Sequence, residues 1–289
     1  MVRSFLKSPR ADNKNGADKK GFTLIELSIV LVIIGLIVGG ILVGQDLIKG
    51  AEIRATIAQI EKYNTAVNTF RNKYGGIPGD LTVSTASQFG LFSTLSGSSY
   101  YGDGNGLVEG GASTTAAGGV TGEGETLVFW RHLSDASLVD GSFGSGATIG
   151  SGTGALATAC TSAGACNSYI PAAKLGRGNS IIINAAQGLN YFGITGVTDI
   201  TTAGAITGTN NLTPIEAFNI DKKVDDSLPY SGSVQAFDAG TFGTNFVTVP
   251  ATSGTASSGC ALSASSAYNV TASGNAGTTQ ACSLRMRFN

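Results

Sequence analysis

From residue 22 to residue 43 every position is apolar or small except Glu26 and the hydroxyl residues Thr23 and Ser28. A helix of this composition has no polar face to turn towards water. At about 1.5 Å per residue the 22 residues make a rod roughly 33 Å long, matching a hydrocarbon core of about 30 Å. After Gln45 and Asp46 the pattern changes. Ile53, Ile57, Ile60, Tyr63, Val67, Phe70 and Tyr74 recur at intervals of three and four, while Glu52, Arg54, Gln59, Glu61, Lys62, Arg71 and Lys73 fill the other faces. One continuous helix over residues 22–74 is predicted, about 80 Å long, its first half lipid-facing and its second half laid on a globular head to give a ladle. Gly75 and Gly76 supply its stop, and Ile77-Pro78-Gly79-Asp80 the turn that follows.

Beyond residue 75 the signals are shorter. Leu127, Val128, Trp130, Leu133 and Leu138 predict an amphipathic helix over 125–138. Thr213-Pro214-Ile215-Glu216 has the order of a capping box with proline at the first helical position, and that helix is expected to run to about Lys223. Strands are predicted over 180–184, 235–237, 246–249 and 284–288, the last with Leu284, Met286 and Phe288 alternating against Arg285 and Arg287. The expected fold is α+β, a long N-terminal helix against an antiparallel sheet. The segments would be 1–21, 22–44, 45–74 and a head over 75–289.

Charge gives the helix a direction. Arg3, Lys7, Arg10, Lys14, Lys19 and Lys20 face only Asp12 and Asp18 before the apolar run, which keeps this end cytoplasmic by the positive-inside rule. The run is longer than a secretory signal's apolar core of about 7 to 15 residues, and no Ala-x-Ala site follows it closely. Glu26 is the anomaly. A carboxylate costs on the order of 2.5 to 3.5 kcal/mol at mid-bilayer, less near the end, and so needs a partner. Cleavage after Gly21 would create one, a free amine on Phe22. Gly35, Gly39, Gly40 and Gly44 form overlapping small-xxx-small spacings, which permit close helix approach but are also common in membrane helices generally.

Basic residues, then Gly21, Phe22 and Glu26, then about twenty apolar residues: over residues 19–74 the chain resembles a type IV prepilin or a type II secretion pseudopilin. The resemblance implies that a prepilin peptidase cuts between Gly21 and Phe22, that the Phe22 amine is N-methylated, and that Glu26 pairs with the Phe22 amine of a neighbouring subunit during assembly. Residues 130–133 and 219–229 also look like recurring stretches of bacterial pilin-like proteins. Many pilins have a helix-bending proline near Val43; this chain has none, so any local melting of the helix would rely on its glycines.

Composition fits an extracytoplasmic head. The 289 residues are 42% hydrophobic and 13% charged, with net charge −1 and no basic face beyond the leader, which removes any reason to expect nucleic acid. The 42 glycines predict long, small-residue loops. Cys160, Cys166, Cys260 and Cys282 all follow the membrane segment, where oxidation is permitted. Four cysteines allow three connectivities, and proximity favours Cys160 with Cys166 and Cys260 with Cys282; the second pair also fits the disulfide-bounded C-terminal region of many pilins. Zinc is the alternative, with one histidine and no CxxC against it.

Candidate chemistry is sparse. Asp103 and Asn105 alternate with glycines and, with the Leu107 carbonyl and Glu109, could direct oxygens at calcium, although most of a twelve-residue EF-hand loop is missing and a plain glycine-rich turn explains the same residues. Asp225 and Asp226 read as a turn after a helix. His132, the sole histidine, sits beside Trp130 on an amphipathic helix, Gly141-Ser142-Phe143-Gly144 only approaches a nucleophile elbow, and no Walker lysine loop occurs. No enzyme is expected.

The reading is a structural subunit of a type IV pilus, single-pass in the inner membrane before assembly. Its partners would be prepilin peptidase, copies of itself or other pilins, and an inner-membrane assembly platform. The alternative within the resemblance is a periplasmic type II secretion pseudopilin. The alternative of another class is a singly anchored periplasmic binding protein or adhesin that keeps its leader.

Overall fold

The computed structural model describes residues 21–91, 102–109, 124–144, 160–161, 163–200, 206–237, 259–262, 267–270 and 279–288. The chain divides into two compact units, Met1–Ile48 and Lys49–Asn289. In the first, the described residues are 21–23 and the start of helix α1 (Leu24–Tyr74), and none of them is buried. This helix is long and apolar enough to cross a membrane. It begins two residues later than the pattern predicts, because Thr23 caps it.

In the second unit α1 becomes one-sided. Ile53, Thr56, Ile60, Tyr63, Ala66, Val67, Phe70 and Tyr74 are buried, and Ile57 packs partly buried beside them. The face against which they pack belongs to a mixed layer of α3 (Glu125–Asp135) and an antiparallel sheet. The sheet runs β1 (Asn179–Ala186), β2 (Leu189–Ile200), β5 (Ser283–Phe288), β4 (Val234–Phe237), with β3 (Ile206–Thr209) paired to the far part of β2. Short helices α2 (Val83–Gln88) and α4 (Ala163–Cys166) and the helix α5 (Pro214–Val224) complete the described elements. The α+β architecture is therefore a long N-terminal apolar helix followed by a globular head with an antiparallel sheet.

Register puts Ile183, Phe192 and Met286 in one row across the sheet and Ile181, Ile194 and Leu284 in the next. This face meets the aromatic cluster. Tyr63 stands edge-on to Trp130 at 4.9 Å, Phe129 is 6.3 Å from Phe192, and Phe192 is 4.5 Å from Phe288. Offset and edge-to-face geometry of this kind adds to what burial alone contributes. His132 belongs to the same core: its ring stacks on Phe70 and its Nδ1 accepts the Gly79 N–H at 3.0 Å. That is a structural role.

Several boundaries differ from the pattern. The helix expected over 125–138 ends at Asp135, since Ser137 adopts φ +55° and the Leu138 N–H returns to the Leu133 carbonyl. The alternation in β5 misplaces Arg285, which is 1% exposed although Arg287 is exposed. Its guanidinium lies over the rings of Tyr191 and Phe237 and donates twice to Gln235 Oε1, so the second face of the sheet is buried too. The strand expected over 246–249 lies outside the described residues. Helix α5 has the capping box, Glu216 N–H donating to Thr213 Oγ1 and Thr213 N–H to Glu216 Oε2.

Replacing Phe192 by alanine should destabilise the head by about 3 to 5 kcal/mol, whereas Thr213→Ala should cost about 1 kcal/mol. Denaturant unfolding of the full chain in detergent, followed through the fluorescence of its one tryptophan, Trp130, checks both.

Candidate functional site

Gly21, Phe22 and Thr23 lie outside the helix, and Thr23 closes its first turn. The Glu26 N–H donates to Thr23 Oγ1 at 3.3 Å, while Glu26 Oε2 accepts from both the Thr23 N–H and the Thr23 hydroxyl at 2.8 Å. The sequence Thr-x-x-Glu thus forms a second capping box, a signal that sequence reading could have used. It gives Glu26 two donors and the positive end of a helix dipole, which answers part of the cost of a carboxylate in an apolar segment. The carboxylate is also held one residue from the Phe22 nitrogen, where cleavage after Gly21 would place an amine. Phe22 itself is 80% exposed.

Gly35, Gly39, Gly40 and Gly44 follow along the same helix. A Cβ built on any of them meets nothing within 4 Å. Among the described residues nothing packs where their side chains would stand, and small residues at this spacing suit close approach by another helix or a bilayer setting.

The calcium residues expected from the loop are arranged differently from the expectation. Asp103 faces Asp80 and Glu125, and ligand atoms of these three carboxylates lie within 4.8 Å of one another. Asn105 is spent inside the loop, its Nδ2 donating to Asp103 Oδ2 and its Oδ1 accepting the Leu107 N–H. Glu109 enters through its backbone, donating its N–H to Glu125 Oε2 at 2.8 Å. Asp80 accepts the N–H groups of Gly104 and Gly106, both at 2.8 Å, and Glu125 also accepts that of Asp103. Two buried carboxylates therefore fasten the loop to the turn before α2 and to the first residue of α3. A divalent cation held here would use Asp80, Asp103 and Glu125 rather than the 103, 105, 107, 109 series.

The same fastening explains two glycines. A Cβ on Gly102 would stand 2.3 Å from the Asp80 carbonyl carbon and 2.4 Å from the Leu81 oxygen, and one on Gly79, at φ +88°, would stand 2.4 Å from the Glu125 oxygen. Backbone lies on backbone at both places.

The remaining candidates are structural. Disulfides join Cys160 to Cys166 and Cys260 to Cys282. Asp225 accepts the Val234 N–H and is also bonded to the Ser233 N–H, while Asp226 accepts the Leu228 N–H and the Ser231 hydroxyl, so the pair shapes a turn. Residues 141–144 form a packed bend with Phe143 buried and the Gly144 N–H bonded to the Ser168 carbonyl, and they follow helix α3 and turns rather than the strand that leads into a nucleophile elbow.

Burial pushes the Asp80 carboxyl up to about 6 and that of Glu125 up to about 8, with the neighbouring carboxylates adding to the rise. Burial likewise raises Asp221, on α5, to about 6. Because these folded values lie above the unfolded ones, the folded state holds the protons more tightly, and stability present in acid is lost as pH rises. The head should thus unfold at lower denaturant concentration at pH 8 than at pH 5, with the decline starting at about pH 4. Glu125→Gln should flatten the upper part of that profile, measured by the same denaturation at a series of pH values.

No curated protein and no solved structure matches the chain. Residues 17–42 match the model of the prokaryotic N-terminal methylation motif, and this match spans the basic approach, Gly21, Phe22, the Thr23 and Glu26 capping box and most of the apolar run. The chain thus carries at its N-terminus the hallmark of the type IV prepilin and pseudopilin family.

Proposed function

We propose that the chain is the precursor of a structural pilin-like subunit of a type IV pilus filament. The observation that carries this reading is the methylation motif at 17–42 lying across the start of a 51-residue helix that is apolar first and amphipathic afterwards. In this reading residues 1–21 are a cytoplasmic leader and 22–44 hold the subunit in the inner membrane. Residues 45–74 carry the head over 75–289 outside the cytoplasm. Prepilin peptidase cuts after Gly21, Phe22 is methylated, and subunits leave the membrane by packing their apolar helices together. A filament core made of such helices needs no catalytic group on the subunit. The glycines allow close approach, and Glu26 meets the Phe22 amine of a neighbour, so that two groups costly in hydrocarbon neutralise one another.

Intact-mass measurement of the membrane-extracted protein tests maturation directly. Loss of residues 1–21 and gain of a methyl group are expected. A retained leader would return the chain to the class of singly anchored periplasmic proteins. Gly21→Leu should leave full-length precursor in the membrane, since a side chain there obstructs cleavage; normal trimming seen by N-terminal sequencing would count against the reading.

Glu26→Leu and Glu26→Gln separate insertion from assembly. Both proteins should reach the membrane and lose their leader, because removing the charge only eases insertion. Both should enter filaments poorly, whether expressed alone or with the native chain. Wild-type incorporation of Glu26→Leu in both settings would dismiss the charge pairing.

A further inference from the structure

The two ends of the sheet path β1-β2-β5-β4 are each covered by a loop, and the two loops differ in shape and charge. Beyond β1 lies the segment 171–174: the Ile181 N–H donates to the Pro171 carbonyl and the Ala173 N–H to the Asn179 carbonyl, each at 2.8 Å. Gln59 of α1 ties this segment down, donating to the Ala172 carbonyl and accepting the Lys174 N–H, both at 2.9 Å. Between it, α1 and residues 140–143 opens a cleft of about 590 Å³. Ala55, Ala58, Tyr63, Phe143 and Pro171 give it an apolar lining. Lys62 and Lys174 bring two ammonium groups to it, and Asp140 one carboxylate. Lys62 pairs with Asp140, whose side chain is 93% exposed, and Lys174 acts on the same carboxylate from further off. An exposed pair of this kind is weakly held and gives way to a better-placed carboxylate.

Beyond β4 lies the turn that follows α5. The Ala236 N–H donates to the Pro229 carbonyl at 2.7 Å, and the bonds of Asp225 and Asp226 to Leu228, Ser231 and Val234 fix the turn internally. On its surface Asp226 is exposed, between Val224 at 42% and Leu228 at 38% exposure. A carboxylate has about four acceptor sites, so Asp226 can take an ammonium while keeping its two bonds. The C-terminal end of α5 adds negative potential, and of the two lysines before the turn Lys222 rests its ammonium over the Phe218 ring.

We propose that the cleft of one copy receives the α5–β4 turn of a second copy, Asp226 replacing Asp140 as partner of Lys62 and Lys174 and Leu228 lying on the apolar lining. Asp226 complements the two lysines and Leu228 the apolar lining, and both surfaces are already fixed by internal hydrogen bonds, so little ordering is lost on docking. The two surfaces stand at opposite ends of one sheet, which makes the contact heterologous. Each copy keeps a free cleft and a free turn, and the association propagates as an open chain rather than closing as a dimer. The inference deepens the pilin-like reading and rests on it for its setting, by naming a head-to-head contact that accompanies the helix packing.

The test uses the full chain in its membrane, with photoreactive benzoylphenylalanine in place of Asn167 at the cleft. Irradiation should give a dimer whose cross-link maps by mass spectrometry to residues 224–229. Asp226→Lys should lower its yield about tenfold, as should Lys62→Glu with Lys174→Glu. Co-expressing the two reversed proteins should restore it, an outcome that also shows both are folded. Cross-links only within one chain, or a yield indifferent to Asp226→Lys, would overturn the contact. Leader removal is followed in the same sample: filaments of trimmed subunits without the cross-link reject the contact and leave the pilin-like reading standing, whereas the cross-link on an untrimmed precursor rejects that reading and leaves the contact.

Discussion

The head hangs on the meeting of Tyr63 with Trp130. Tyr63 brings α1 onto Trp130 and Phe192, as Phe70 brings it onto His132, and Trp130 passes the contact on to Phe129 and Phe143. A helix that must be apolar on all sides at one end has no intrinsic reason to choose a face at the other. The choice comes from large, rigid rings that fit only one rotation of the helix, and every buried position from Ile53 to Tyr74 then follows at intervals of three and four. The second element fixed by this contact is α3, whose Glu125 end holds the acidic loop and whose His132 holds the Gly79 turn.

Those two attachments use polar groups where a core ordinarily uses apolar ones. Asp80 and Glu125 are buried but each accepts two backbone N–H groups, so they do for the loop at 102–109 what a cap does for a helix. A short glycine-rich loop has few side chains to bury and must be fastened by its backbone. The cost is a cluster of like charges without a facing cation among the groups that shift Asp80 and Glu125, and proton uptake is its relief.

How much of this was legible in the sequence depended on the range of the interaction. The helix to Tyr74 was readable because its pattern is continuous, and the capping box at Thr213 because it spans four residues. Thr23 and Glu26 carry the same four-residue sign, obscured by the membrane run that follows. Strand β2 gave little warning. It is buried on both faces, which removes alternation, and Gly193 and Gly196 dilute its strand character; Gly193 stands between Ile182 and Arg285 across the sheet. Arg285 itself was assigned to solvent because alternation reports a side, not whether that side is covered. The partnership of Asp80, Asp103 and Glu125 joins three distant segments, and no local spacing encodes it.

The covered ends of the sheet have a consequence for how this protein can fail. A free strand edge is a template on which any extended chain can add, and identical chains add most readily of all. Here the Ile181 amide of β1 and the Ala236 amide of β4 are already bonded to the carbonyls of Pro171 and Pro229, and each of those prolines lacks an amide with which to extend the ladder in turn. However densely copies are stored side by side, a strand adding at either position meets an amide that is already taken. Association through side chains and helices leaves these bonds in place, so copies that meet in that way keep both sheet edges as folded.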